Sequence, residues 1–277
     1  MKAGRPFVRA VSALAVWLAV SGSAAAQEPV RLYAAGSLRG AMTAIGAAFA
    51  KDGGTAVAAT FGPSGLLRER IEKGEPAEVF ASADIDHPMT LMRAGKAGPV
   101  VVFTRNRLCA LARPGLDVST RTLLDTLLDP AVKLGTSTPK ADPLGDYTWA
   151  VFDKAGKARP GSDATLKAKA LQLVGGPNIP SLPADQNLLA VLFAQHQADI
   201  FLTYCSGAKE TLGALPAARI VALPPALAMG ADYGLTVVNG ARPEAARLAL
   251  YVLSPAGQRI LSDFGFTAVA LPASDRR

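Results

Sequence analysis

The chain has 277 residues, half of them apolar, with 29 Lys and Arg against 22 Asp and Glu for a formal charge of +7. So apolar a composition excludes a disordered chain. So mild a positive excess, with no Lys/Arg cluster interleaved with aromatics, excludes a nucleic-acid-binding surface.

The first residues read as a secretory signal. Lys2, Arg5 and Arg9 form a basic stretch, residues 10–20 an apolar one, and Ala24-Ala25-Ala26 a small-residue cleavage site before Gln27. The apolar run is about half of what a bilayer span needs. No Cys follows it to take a lipid, and Arg5 and Arg9 are not adjacent as in a twin-arginine signal. A signal over 1–26 implies a periplasmic mature chain of 251 residues from Gln27. Three basic residues lie in the leader, which leaves a charge of +4. That length suits one large or two medium domains. Cys109 and Cys205 are the only cysteines. An exported chain permits a disulfide between them; two buried free thiols in apolar strands are the alternative.

Strands and helices alternate along the chain. A strand over 30–34 leads into a helix over 38–51, with Leu38, Ala41, Met42, Ile45, Ala48 and Phe49 on one face. A strand over 56–61 and a helix over 65–73, stopped by Gly74, follow. Next come a short strand over 79–83, a helix over about 87–94 and a long apolar strand over 100–111. Past Pro114 the pattern restarts with a helix over 119–125, a strand over 132–137 and a helix over 147–155. A polar stretch over 157–164 precedes another helix. A helix over 187–196 is followed by a strand over 199–205, and by strand-like runs over 220–227 and 232–238. Two last helices start near Pro243 and at Ser254-Pro255, the latter with Ser as N-cap and Pro at the first helical position. Such alternation predicts an α/β fold with mixed, mostly parallel sheets. The long strands suggest a two-lobed clamshell hinged by crossing strands. The first lobe then comprises 27–106 plus 232–277 and the second 107–231, with ligand between them at the carboxyl ends of strands.

Two stretches carry the chemistry, Tyr33-Ala34-Ala35-Gly36-Ser37-Leu38 and Phe61-Gly62-Pro63-Ser64-Gly65. Each reads as a strand ending in small residues, then a serine at a helix start. Helix N-termini present unpaired N–H groups and a positive dipole end, so two aimed at one point form an anion pocket. Either serine could be a plain N-cap. Arg39, two residues beyond Ser37, is expected to point to solvent. Asp84 and Asp86 form a carboxylate pair with no His or Cys to complete a metal site. His87 and His196 are expected at the surface, and no Ser-His-Asp or Cys-His arrangement can be assembled. If the fold carried an enzyme, Asp142 would be its best acid–base candidate; none is expected. A sensor for an organic acid would call for basic cleft residues, of which Arg39 is the one available.

The run from Ser64, Ser-x-x-L-x-x-x-I-x-x-G-x-P-A-x-x-F-x-S-A-D, is specific. With segments 34–38, 143–147, 187–207 and 232–266, it makes nearly the whole mature chain resemble the periplasmic molybdate-binding proteins of ABC importers. The resemblance implies a type II periplasmic-binding-protein fold, no catalysis and no cofactor. It also implies a monomer that carries molybdate or tungstate to a membrane permease, with sulfate or another small anion as the alternative ligand. It places the oxyanion on the Ser37 and Ser64 hydroxyls, the Leu144 backbone N–H, the Tyr204 hydroxyl and the Gln186 backbone N–H. The chain departs from that pattern at Pro63, at Leu144, at Cys205-Ser206 after the tyrosine, and in a longer 135–143 loop that brings Asp142 near the anion.

Overall fold

A computed structural model describes residues 1, 28–179 and 186–269. The rest of the expected signal and its cleavage point at Gln27 lie outside the described residues.

The chain opens with β1 (Val30–Ala35), a 3-10 turn at Gly36–Leu38, α1 (Arg39–Lys51), β2 (Val57–Gly62), α2 (Ser64–Glu72), β3 (Val79–Ser82), α3 (Asp86–Arg93) and the long β4 (Val101–Ala112). It continues through α4 (Leu123–Leu128), β5 (Leu134–Ser137), α5 (Pro143–Ala158), α6 (Ser162–Lys169), β6 (Leu171–Val174), α7 (Leu188–Ala194), β7 (Ile200–Tyr204), α8 (Cys205–Ala214) and β8 (Arg219–Ala222). It ends with β9 (Gly230–Val237), α9 (Pro243–Leu253), α10 (Pro255–Asp263) and β10 (Thr267–Ala268).

The helical periodicity of α1 is realised, with Ala41, Met42, Ile45 and Phe49 buried on one face. Gly74, at φ +94°, takes the left-handed conformation just past α2. Ser254 caps α10, its hydroxyl accepting the Gly257 N–H at 3.3 Å. Other expectations need correction. The helix expected over 119–125 starts at Leu123, because Ser119 and Thr122 close a turn on themselves through the Ser119 N–H at 2.9 Å. The helix expected from 147 starts at Pro143, where Asp142 caps it. The 220–227 run is β8 followed by a 3-10 turn at Pro225–Leu227. β6, α8 and β10 were not expected. α8 begins directly after Tyr204 with Cys-Ser-Gly-Ala, residues that show no apolar period.

The sheet order is β2-β1-β3-β9-β4-β7-β5-β6, with β8 and β10 also on β4. It is mixed as expected, but parallel pairing is confined to β2-β1-β3 and β6-β5-β7. Every pair made by β4 or β9 is antiparallel. β4 takes the chain from the first half of the molecule to the second and β9 brings it back, so the two strands run against each other. Residues 101–107 of β4 pair with β9, whereas residues 108–112 pair with β7 and β8. Around this junction Tyr233 meets Phe103, Tyr204 and Phe266 edge-on, with ring centroids 6.3, 5.5 and 5.5 Å apart. A disulfide joins Cys109 on β4 to Cys205 at the head of α8, and the Asn106 side-chain amide donates to the Ser206 hydroxyl at 2.7 Å. The Cys205-Ser206 departure thus ties α8 to the crossing strand. By loop closure, a bridge spanning 96 residues stabilises a fold by about 2–5 kcal/mol.

The returning C-terminal segment is anchored by Glu78, whose side chain is 2% exposed. Its carboxylate accepts the Arg31 N–H at 3.0 Å and the Arg242 Nε–H and Nη2–H at 2.7 Å each. The bond from the Arg242 guanidinium holds the Glu78 pKa at about 2, below its ordinary 4.5. A lowered pKa adds stability that is present above pH 4.5 and lost as pH falls towards about 2. Glu78→Gln is expected to cost about 2 kcal/mol at neutral pH, or ~4–8 °C in Tm. The gap from wild type should close between pH 4.5 and about 2 in thermal melts.

Candidate functional site

The turn after β1 sets Ser37 beside β9, with its Oγ 3.0 Å from the Tyr233 Oη. Ser64 opens α2 but is fully buried, and its hydroxyl accepts the Ala83 N–H at 3.1 Å. The next residue turns to the other half of the molecule: the Gly65 N–H donates to the Ala141 carbonyl at 3.1 Å. A Cβ at Gly65 would lie 2.6 and 2.8 Å from the Lys140 and Ala141 carbonyl oxygens, so glycine is required at this approach.

Across the gap, Asp142-Pro143 starts α5 as N-cap and first helical residue. The Asp142 carboxylate accepts the Leu144 N–H at 3.1 Å on Oδ1 and the Ser137 hydroxyl at 2.6 Å on Oδ2. Tyr204, the last residue of β7, is 2% exposed. Its hydroxyl has no hydrogen-bond partner of normal geometry among the described residues, and burial pushes its pKa well up. Asn187 caps α7 by accepting the Ala190 N–H at 3.0 Å, and it also accepts the Thr211 hydroxyl at 3.2 Å.

These groups surround a cavity of about 350 Å³, within the ~300–1,000 Å³ typical of small-molecule sites. One wall holds Ser37, Arg39, Phe61 and Pro63; the other holds Asp142, Leu144, Gln186, Asn187, Tyr204 and Thr211. Of the five residues that the sequence resemblance put on an anion, the structure brings Ser37, Leu144, Gln186 and Tyr204 to this cavity. Ser64 is buried at the start of α2, where its Oγ accepts the Ala83 N–H and its own hydrogen remains to be donated. Arg39 is exposed, as expected, and its guanidinium also lies 4.7 Å from the centre of the Phe61 ring, where it lines the cavity. Sequence reasoning also missed Asn187 and Thr211, although Asn before an apolar run is an N-cap signal.

Asp142 is the chemical surprise. Burial pushes its carboxyl up, and Asp146 and Asp84 add to that, against the Ser137 and Leu144 bonds that favour ionisation. Two unit charges 4 Å apart repel by about 4 kcal/mol at an effective dielectric constant near 20. An ionised Asp142 therefore opposes an anion at the same wall.

The remaining candidates are structural. Asp84 accepts the Ser82 hydroxyl and the His87 N–H at 2.9 and 3.1 Å, capping α3. Asp86 is exposed in the first turn of α3. His87 is less exposed than expected, its side chain at 15% and its Nε2 3.7 Å from the Asp84 carboxylate. His196 is exposed, as expected. No group of three metal-ligating side chains occurs among the described residues, nor any helix long and apolar enough to cross a membrane.

Because the Tyr204 hydroxyl is buried with no hydrogen bond of normal geometry among the described residues, Tyr204→Phe is expected to leave ligand-free stability unchanged or to raise it by up to ~1 kcal/mol. Thermal melts without added anion check this; a clear loss would show that the hydroxyl is satisfied within the protein.

The family model for bacterial extracellular solute-binding proteins matches residues 30–267. An uncharacterized protein of Pasteurella multocida is 37% identical over 247 residues, covering 88% of this chain and 99% of the relative. The molybdate-binding protein ModA of Escherichia coli is 26% identical over 285 residues, covering 95% and 98%. The periplasmic molybdate-binding protein of Azotobacter vinelandii superposes with a TM-score of 0.69 at 19% identity, covering 87% of this chain and 99% of that one. The chain belongs to the bacterial extracellular solute-binding protein family, whose members bind a substrate for transport rather than transform it.

Proposed function

We propose that this protein captures a small oxyanion, molybdate or tungstate, in the cavity between its two halves and presents it to the permease of an ABC importer. The binding groups are the Ser37, Ser64 and Tyr204 hydroxyls and the Leu144 and Gln186 backbone N–H groups; Ser64 accepts the Ala83 N–H and keeps its own hydrogen to donate. The observation that carries the reading is the Tyr204 hydroxyl, buried at the wall of the cavity that Ser37 also lines, with the Tyr233 hydroxyl near it but no hydrogen bond of normal geometry among the described residues. A buried donor of that kind is costly unless a ligand satisfies it. The relatives named for molybdate binding support the choice of ion.

Hydrogen bonds to a charged acceptor contribute about 1.5–3 kcal/mol each, and a micromolar complex needs about 8 kcal/mol net. Four or five such donors reach that range after ordering costs. Donors on both walls favour the closed arrangement once the anion is bound. The Gly65 bond to Ala141 already spans the two sides, so closure adds ligand contacts to one the protein makes itself. In this reading the lobes are 27–106 plus 232–277 and 107–231. The change of partners along β4 after Arg107 supports that division. The protein acts as a periplasmic monomer released from a signal over 1–26. A second reading, sulfate or another small anion, is favoured by Asp142, because a wall with an acceptor is not the donor-only wall that suits a fully ionised dianion.

Molybdate at 100 times its Kd is expected to add about 2.7 kcal/mol of stability, or ~5–11 °C in Tm. Ser37→Ala is expected to weaken binding by ~10–150-fold, for one lost bond to a charged group worth about 1.5–3 kcal/mol. Absence of any shift with molybdate, tungstate and sulfate would sink the proposal.

A further inference from the structure

Asp142 lines the cavity with no base to neutralise it. No Lys, Arg or His forms an ion pair with it among the described residues. The charged groups around it come from several elements. Asp146 on α5 and Asp84 after β3 add negative potential. Arg39 on α1 and Glu210 on α8 line the same cavity with opposite signs. Tyr204 on β7 and Tyr233 on β9 are held neutral, because burial pushes both phenols up.

The surroundings are fitted to the carboxyl. Gly175 sits at φ +75°, and a Cβ there would fall 2.7 Å from Asp142 Oδ2 and 2.2 Å from the Ser137 Oγ. The Ser137 hydroxyl has two acceptors in reach, Asp142 Oδ2 at 2.6 Å and the Val174 carbonyl at 3.3 Å. When Asp142 is ionised, Ser137 donates to it. When Asp142 is neutral, Ser137 can turn its hydrogen to Val174 and accept from the carboxyl. Both protonation states are therefore hydrogen-bonded without movement. Burial raises the carboxyl above its ordinary range, which makes a proton easier to add when an anion arrives.

An anion bonded to the Tyr204 hydroxyl and the N-terminal end of α5 sets an oxygen against this carboxyl. Two ionised oxygens face to face repel, whereas an oxygen and a hydroxyl bond. We infer that Asp142 determines specificity at this cavity: the bound anion and Asp142 hold one proton between them. An oxyanion that keeps a protonated oxygen, such as hydrogen phosphate or an oxyanion ester with a neighbouring hydroxyl, is accepted directly. A fully ionised one enters only with uptake of a proton from solvent, which goes to Asp142 and stays in the bond. The inference rests on the reading of the cleft as an oxyanion site.

The test is calorimetric titration of the mature wild-type protein at neutral pH with molybdate and with inorganic phosphate, in buffers of small and large ionisation enthalpy. Wild type is expected to take up about one proton per molybdate, and its molybdate affinity to fall about tenfold per unit rise in pH. Hydrogen phosphate is expected to bind without uptake. Asp142→Asn keeps a good N-cap residue at the head of α5. It is expected to bind molybdate without proton uptake and to shift the molybdate-to-phosphate preference towards molybdate by ~10-fold or more, the equivalent of about 1.4 kcal/mol. Molybdate binding to wild type with no proton uptake and no pH dependence, or an unchanged preference in Asp142→Asn, overturns the inference and leaves the oxyanion reading standing. The uptake measurement needs no variant, so a misfolded Asp142→Asn does not spoil it. Binding of neither anion by wild type overturns the oxyanion reading and the inference with it.

Discussion

The antiparallel seam between β4 and β9 is the constraint on which the rest of the molecule depends. One strand of twelve residues, Val101–Ala112, serves both halves of the sheet by changing partners after Arg107. Everything that forms the cavity hangs from this seam. Tyr233 on β9 holds Ser37 from one side and packs edge-on against Tyr204 from the other. The disulfide from Cys109 fixes the head of α8 immediately after Tyr204. Edge-on aromatic pairs contribute about 0.5–1.5 kcal/mol each beyond burial, so the Tyr233 cluster both stabilises the junction and sets the positions of two hydroxyls.

On the proposed oxyanion reading, the site built on that seam meets charge mostly with dipoles. Strand-to-helix turns bring backbone N–H groups towards one cavity from both sides, and such groups favour anions. Asp142 runs against that scheme. It caps α5 as an N-cap should, yet it occupies the Leu144 N–H that an anion would use and adds a negative group at the wall. A cap and a binding donor cannot both claim one N–H without a proton or a displacement. That competition gives this chain a chemistry distinct from a pocket of donors alone.

Much of the fold was legible because its signals are local. The face of α1, the stop at Gly74, the Ser254-Pro255 start and the two serine turns are all written within a few residues. Asp142-Pro143 was equally legible as N-cap and first helical residue, but the apolar period of α5 becomes clear only near Tyr147, and that moved the expected start too late. α8 was missed because strand β7 passes into it without a turn residue. What local pattern could not show were contacts between distant segments. The Ser37 bond to Tyr233, the Gly65 bond to Ala141 and the seat of Arg39 on Phe61 each depend on how β4 and β9 bring the halves together. For the same reason the bond that Ser64 accepts from the Ala83 N–H was not foreseen.

The central claim is that Ser37 and Tyr204 close on one anion. A crystal structure grown with molybdate, with the metal located by its anomalous scattering, tests it most directly. The account predicts one peak in the cavity, with oxyanion oxygens within hydrogen-bond distance of both the Ser37 and the Tyr204 hydroxyls. A peak elsewhere, or an occupied cavity whose Tyr204 hydroxyl still has no partner, would contradict it.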